Sequence, residues 1–218
     1  MPIYELSDDL VFPHPLLAEE DGLLAFGGDL RPERLLLAYR NGIFPWYSEE
    51  DPILWHAPNP RFVLFPKNVV VSKSMRQVMR SNKFKITVNQ NFEQVIASCK
   101  YIVRKDQPDT WITKEMQQAY IQLHQLGYAH SVEVWQKEEL VGGLYGINLG
   151  RVFFGESMFH LVSNASKAAF IYLAQQFPFS IIDCQMETEH LKSLGGQSIP
   201  LEDFLLILDV EAEKDCLL

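Results

Sequence analysis

Glu156, Asp183 and Gln185 are the residues whose types and settings in this chain point most directly to chemistry. Each lies in an apolar, strand-like run: RVFFGESMFH carries Glu156, and SIIDCQ carries Asp183 and Gln185. Polar groups on central strands are costly to bury unless they are paired. Two readings stay open for them on this ground alone. They are strand-end groups bonded to backbone, or they converge as the wall of an active site. In the second reading the carboxylates can hold or accept protons, while an amide can orient a nucleophile without ionising.

The elements that must position them follow from periodicity. Between the two runs lies NASKAAFIYLAQQF, a helix-like segment, so the runs are expected as neighbouring parallel strands joined by a crossover. SVEVW, LVGGLYGIN and RVFFGESMF are separated by short turns and predict a three-stranded antiparallel meander. GGLYGINLG lacks the GxGxxG spacing and no helix follows it, which excludes a dinucleotide loop. Upstream, FVLF reads as a strand and VVV as a strand edge running into a basic helix; FKITVN is the next strand. NFEQVIASCKYI and KEMQQAYIQLHQL are helices with Phe92, Val95, Ile96 and Cys99, then Met116, Ala119, Tyr120 and Leu123, turned inward. His124 and His130 read as surface or satisfied core histidines. A short helix, TEHLKSLG, and an amphipathic one, LEDFLLILDV, close the chain.

The first sixty residues read differently. Asp29 is expected to cap a helix, PERLLLAYRN, that has Pro32 in its first turn and stops at Gly42. Pro45, Pro52, Pro58 and Pro60 then exclude a long helix or a central strand. Trp46, Tyr47 and Trp55 in that loop either pack on a second domain or line a pocket. Residues 1–61 are expected as a small N-terminal α+β domain and 62–218 as the main α+β domain.

The totals narrow the function. Of 218 residues, 47% are hydrophobic, enough to bury a sizeable core, and no run is long enough to span a bilayer. The acidic opening MPIYELSDDL has no basic flank and does not read as a signal peptide. Three cysteines without CxxC spacing fit reduced thiols in a cytoplasm, and the scattered histidines offer no zinc motif. A net charge of −9 argues against indiscriminate coating of nucleic acid. One segment reverses that sign: Lys73, Arg76, Arg80, Lys83 and Lys85 fall between positions 72 and 85 with no acid among them. The first four are spaced to share one helical face, with no acid to pair at i,i+4, and a polyanion explains them better than a solvated face does.

The motifs GLLAFGGDL, AYRNGIFPWY, ILWHAPNPRF, TWIT, GYAHSVEVW, LVGGLYG, FFGESMF, NASK and IDCQ occur in an order that resembles the leucyl/phenylalanyl-tRNA–protein transferase family, from Gly22 to Leu208. The resemblance implies a small N-terminal domain joined to a GNAT-like acyltransferase domain. In that fold two central strands splay apart, with 154–158 and 183–185 as cleft walls. It implies a bacterial, cytoplasmic aminoacyltransferase that moves Leu or Phe from charged tRNA to the N-terminal Arg or Lys of proteins, marking them for degradation. No cofactor is expected beyond aminoacyl-tRNA as co-substrate, no membrane partner, and a monomer.

Residue by residue, the resemblance puts Glu156, Asp183 and Gln185 at the reacting centre. It puts Tyr39, Trp46 and Trp111 at the aminoacyl-adenosine end and Met158 in an apolar side-chain pocket, with Phe154, Gly155 and Ser157 beside it. Lys73, Arg76, Arg80, Lys83 and Lys85 would grip tRNA phosphates. In that arrangement Gln185 orients the attacking amine, Asp183 holds Gln185, and Glu156 grips the donor's ribose or α-amine. His56-Ala57, Asn59 and Leu144 depart from the family pattern. An acetyl-CoA-dependent N-acetyltransferase is the alternative, weakened by the glycine-free turn HLVSNASKA. A non-catalytic RNA-binding module would leave the strand carboxylates unexplained.

Overall fold

A computed structural model describes residues 3–101, 112–215 and 218. The chain first builds a four-stranded sheet in the order β1-β2-β4-β3, from Tyr4–Leu6, Leu23–Gly27, Phe44–Pro45 (β3) and Leu54–His56 (β4), with α1 at Pro32–Arg40. Gly42 ends α1 with φ +69, the left-handed conformation that glycine adopts without a Cβ penalty. Two expectations fail here. Arg31, not Asp29, is the N-cap of α1; the Asp29 carboxylate accepts from the Arg31 N–H (3.0 Å) one step earlier. The proline-rich loop also holds an interior strand, because β4 fits between Pro52 and Pro58 and neither proline interrupts its ladder.

The second sheet has seven strands, in the order β11-β5-β10-β9-β8-β7-β6. Along the chain these are β5 (Arg61–Leu64), then α2 (Lys73–Arg80), β6 (Lys85–Val88), α3 (Phe92–Tyr101) and α4 (Lys114–Gln125). The meander follows as β7 (Ala129–Gln136), β8 (Glu139–Leu149) and β9 (Val152–His160). Then come α5 (Ala165–Gln176), β10 (Ile181–Gln185), α6 (Glu189–Lys192), β11 (Gln197–Ile199) and α7 (Leu201–Glu211). The α+β class, the antiparallel meander and the parallel β9–β10 pair are as expected. Val69–Val71 is not a strand: a single 3-10 turn at Pro66–Asn68 leads into an irregular approach to α2.

Helices cover both faces of the large sheet. Phe92, Val95, Ile96, Met116, Tyr120, Leu123, Phe204 and Leu208 pack on one face with Tyr145, Phe154 and Ile181. On the other, Ala165, Ala168, Phe170 and Leu173 of α5, with Met75 of α2, meet Val132, Leu144, Phe153 and Ile182. Successive residues such as Phe153 and Phe154 go to opposite faces, as a pleated strand requires. Covered on both sides, β8 reads as a continuous buried run rather than an alternating one. Among the described residues no helix is long and apolar enough to cross a membrane.

Candidate active site

Two backbone irregularities, one on each of two adjacent strands, create the site. β9 and β10 pair in parallel from Val152/Ile181 to Phe154/Asp183 and no further. One residue on, the β8–β9 register jumps from Gly146↔Gly155 to Tyr145↔Ser157, leaving Glu156 as the extra residue of a bulge. On β10 the register against β5 jumps from Asp183↔Val63 to Gln185↔Phe62, and Gln185 takes φ +64. So the two strands part where both carry a bulge. Gly146 permits the one on β9, since a Cβ there would lie 2.1 Å from the Phe154 carbonyl oxygen.

The bulge also reverses side-chain parity. Strict alternation would put Met158 on the same face as Phe154 and Glu156. Instead Phe159 joins the core on the α4 side and Met158 packs on the α5 side, beside its register partner Leu144. The polar chemistry and the half-buried methionine therefore face opposite sides of the gap.

Glu156 is 7% exposed and fully engaged. One carboxylate oxygen accepts from the Gln185 side-chain N–H (2.9 Å), the other from the Tyr120 hydroxyl (2.9 Å), and Tyr39 hydrogen-bonds Tyr120 in turn. Burial pushes the Glu156 carboxyl up to about 7; the neighbouring Tyr39 hydroxyl and the Tyr120 and Gln185 hydrogen bonds oppose this, and the Asp183 charge adds to it. Burial and the Glu156 charge hold Tyr39 and Tyr120 well above the usual phenol range, so both remain hydrogen-bond donors. Because the Gln185 nitrogen donates to Glu156, its amide oxygen is left as that side chain's acceptor, half-buried at the end of β10.

Asp183 does not touch the Gln185 side chain. Its carboxylate forms a two-point ion pair with Arg61 (2.8 and 2.6 Å), both side chains wholly buried, and accepts the Gln185 backbone N–H at 2.9 Å. The Arg61 guanidinium lies between the Phe44 and Phe204 rings, 4.8 and 5.0 Å from their centroids. Asp183 thus fixes the backbone at which Gln185 turns. It meets Gln185 through the backbone N–H, and both of its oxygens are wholly buried.

The remaining expected residues divide. Tyr39 is fully buried and reaches Glu156 through Tyr120, so it offers no face to an adenine. Phe154 is core, packed against Tyr39 (5.1 Å) and Phe204 (6.5 Å), not cleft wall. Gly155 and Ser157 flank Glu156 at the parting of the strands, and a Cβ on Gly155 would come within 3.4 Å of the Asp183 carbonyl oxygen. Trp46 is half-buried, edge-on to His56 at 5.4 Å, whereas Trp55 and Tyr47 are packing residues. Trp111 lies outside the described residues.

Basic side chains gather on and after α2. Lys73, Arg76 and Arg80 line an open concavity of about 610 Å³ with Gln77 and Ser81. Lys85 is exposed on β6, and Lys83 sets its ammonium 4.8 Å from the Phe84 ring. The helical stripe is shorter than the spacing predicted. Ser81 bonds back to Val78 and Asn82 turns left-handed (φ +53), so Lys83 falls beyond the helix. Among the described residues none of these five is ion-paired to a carboxylate.

Arg61 and Tyr120 are the participants that sequence reading missed. Tyr120 had a signal, since a tyrosine on an inward helical face needs a partner for its hydroxyl. Arg61 had less: a cation opening an apolar strand implies a buried carboxylate without saying which.

A family model described as leucyl/phenylalanyl-tRNA protein transferase matches residues 63–209, and one for that protein's N-terminal domain matches residues 28–59. The leucyl/phenylalanyl-tRNA–protein transferase of Syntrophus aciditrophicus is 57% identical over 211 residues, spanning 95% of this chain and 88% of its own. That of Flavobacterium johnsoniae is 56% identical over 209 residues, 94% and 99% of the two chains. Among solved structures, a GCN5-related N-acetyltransferase from Kribbella flavida aligns with TM-score 0.37 and 11% identity over 77% of this chain and 60% of its own.

Proposed function

Since this chain belongs to the leucyl/phenylalanyl-tRNA–protein transferase family, we propose that it moves Leu or Phe from aminoacyl-tRNA to the N-terminal Arg or Lys of a protein in the gap between β9 and β10. The observation that carries this reading is the Tyr120–Glu156–Gln185 contact at the point where those strands part.

The reaction is aminolysis of an ester that is already activated, so alignment removes much of the barrier. The Gln185 amide oxygen accepts one N–H of the acceptor's α-amine and aims its lone pair at the ester carbonyl. An α-amine titrates near 8 and the Glu156 carboxyl near 7, so a proton can pass between them without a large mismatch. As the C–N bond forms, the ammonium proton goes to Glu156. As the C–O bond breaks, that proton goes on to the departing ribose oxygen. Backbone N–H groups of Gly155 and Glu156, past the last β9–β10 pair at Phe154/Asp183, stabilise the oxyanion. Asp183 and Arg61 act through Gln185 as positioning residues.

The donor side chain lies against Met158 on the α5 side, where a flexible thioether fits Leu and Phe alike and discriminates by about 1–3 kcal/mol per methylene. Trp46 stacks on the terminal adenine. Lys73, Arg76, Arg80, Lys83 and Lys85 hold acceptor-stem phosphates, giving affinity without sequence readout. On this reading residues 1–61 supply Tyr39, Trp46 and Arg61, residues 62–218 supply the rest, and a tRNA donor places the reaction in the cytoplasm.

The test is transfer of labelled phenylalanine from Phe-tRNA to two peptides, one starting with Arg and one with Ala. Labelling of the Arg peptide alone is expected. Labelling of neither, or acetylation of either from acetyl-CoA, overturns the reading.

A further inference from the structure

β10 stops short of its neighbour. Its pairing with β9 ends at Phe154/Asp183, yet β9 runs on to His160. From Met158 to His160 the bridges of β9 are to β8 alone among the described strands. Where β10 would have continued, the chain folds back: Gln185 is left-handed and the Met186 N–H reaches the Cys184 carbonyl (2.7 Å). The chain then crosses to the far side of β5. There the Leu194 carbonyl accepts the Val70 N–H (2.9 Å), and β11 pairs with β5 on the edge away from β10. The helices α3 and α5 that pack on β9 lie on its two faces, not along this edge.

A strand edge thus opens inside a seven-stranded sheet, and it begins at the reacting centre. Gly155 and Met158 are half-buried and His160 is exposed, so solvent reaches both ends of this stretch. A strand paired on one side only presents N–H and C=O groups at the spacing of another extended polypeptide. One substrate of the proposed reaction is such a polypeptide, whereas the 3′ end of a tRNA has no matching row of backbone amides. With the acceptor's α-amine at Gln185 and Glu156, the residues behind it must leave through the opening. From Glu156 to His160 is about 13 Å at ~3.3 Å per residue, the length of about four extended residues.

We propose that the N-terminal segment of the acceptor protein adds to the open side of β9 as an extended strand, parallel to β9, in the place that β10 gives up. This rests on the aminoacyl-tRNA reading and adds to it how the acceptor is held behind its first residue. Main-chain hydrogen bonds supply affinity without reading side chains. That suits an enzyme whose acceptors need share only their first residue.

The experiment measures transfer of labelled phenylalanine from Phe-tRNA to arginine amide, to Arg-Ala-Ala-Ala-Ala-amide, and to that peptide with one backbone N-methyl group at its second, third or fourth residue. Successive residues of a strand turn their N–H groups to opposite sides, so only alternate ones meet β9. The kcat/KM should rise about tenfold from arginine amide to the pentapeptide. N-methylation should cost about fivefold at alternate positions and little between them, the size of one backbone hydrogen bond. The added strand is overturned if the longer acceptor gains nothing, which would leave the edge to the donor's 3′ end. It is equally overturned if no methyl group costs activity, or if all three cost alike, as crowding would. Failure of every Arg acceptor, arginine amide included, would instead sink the transferase reading itself.

Discussion

Arg61 and Asp183 meet through two hydrogen bonds with neither side chain exposed to solvent, and the Asp183 oxygen that faces the Arg61 Nε also accepts the Gln185 backbone N–H. An ion pair so buried gives little net stability, but breaking it by removing one partner costs about 3–5 kcal/mol. Asp183→Leu and Arg61→Met should each lower stability by about that much in denaturant titrations and reduce turnover. The double variant should regain part of the stability and not the turnover, because the Gln185 backbone would still lack its acceptor. Recovery of turnover in the double variant would remove the pair from the positioning of Gln185.

Gln185 holds φ +64, a conformation that costs a residue with a Cβ about 1–2 kcal/mol. Gln185→Gly should therefore stay within about 1 kcal/mol of wild-type stability, the relieved strain offsetting the lost hydrogen bond to Glu156. Its turnover should fall at least a hundredfold with tRNA affinity unchanged. Wild-type turnover in this variant would show that the amide does not orient the amine.

The Glu156 carboxyl, raised to about 7, is protonated below that pH and then cannot accept the amine proton. The kcat/KM profile should fall as pH drops through about 7, in addition to the limb from the amine near 8. Glu156→Gln should lose the lower limb. Tyr120→Phe, which deletes a donor to the ionised form, should move that limb to higher pH. Stability runs the opposite way. A carboxyl whose folded pKa is raised disfavours the folded state increasingly as pH climbs from its unfolded value to about 7, so Glu156→Gln should gain on wild type over that interval.

Replacing Arg76, Arg80 and Lys83 with alanine should weaken tRNA binding. The slope of log affinity against log salt should flatten by up to about three, one per lost phosphate contact. An unchanged slope would make these residues a solvated face.

The sequence alone determined the α+β class, the meander, the parallel crossover and the basic segment, because each is written in local periodicity, turn chemistry or charge. It also singled out Glu156, Asp183 and Gln185, since polar residues inside apolar runs stand out without any coordinates. Tertiary structure decided how they are wired. Two one-residue bulges part the strands, turn Gln185 left-handed and send Met158 to the face opposite Glu156, and a period-two pattern cannot register an inserted residue whose partner strand lies elsewhere in the chain. Arg61 and Tyr120 entered the site for the same reason. They stand 122 and 36 residues from the carboxylates they bond, and only the folded chain brings such pairs within 3 Å.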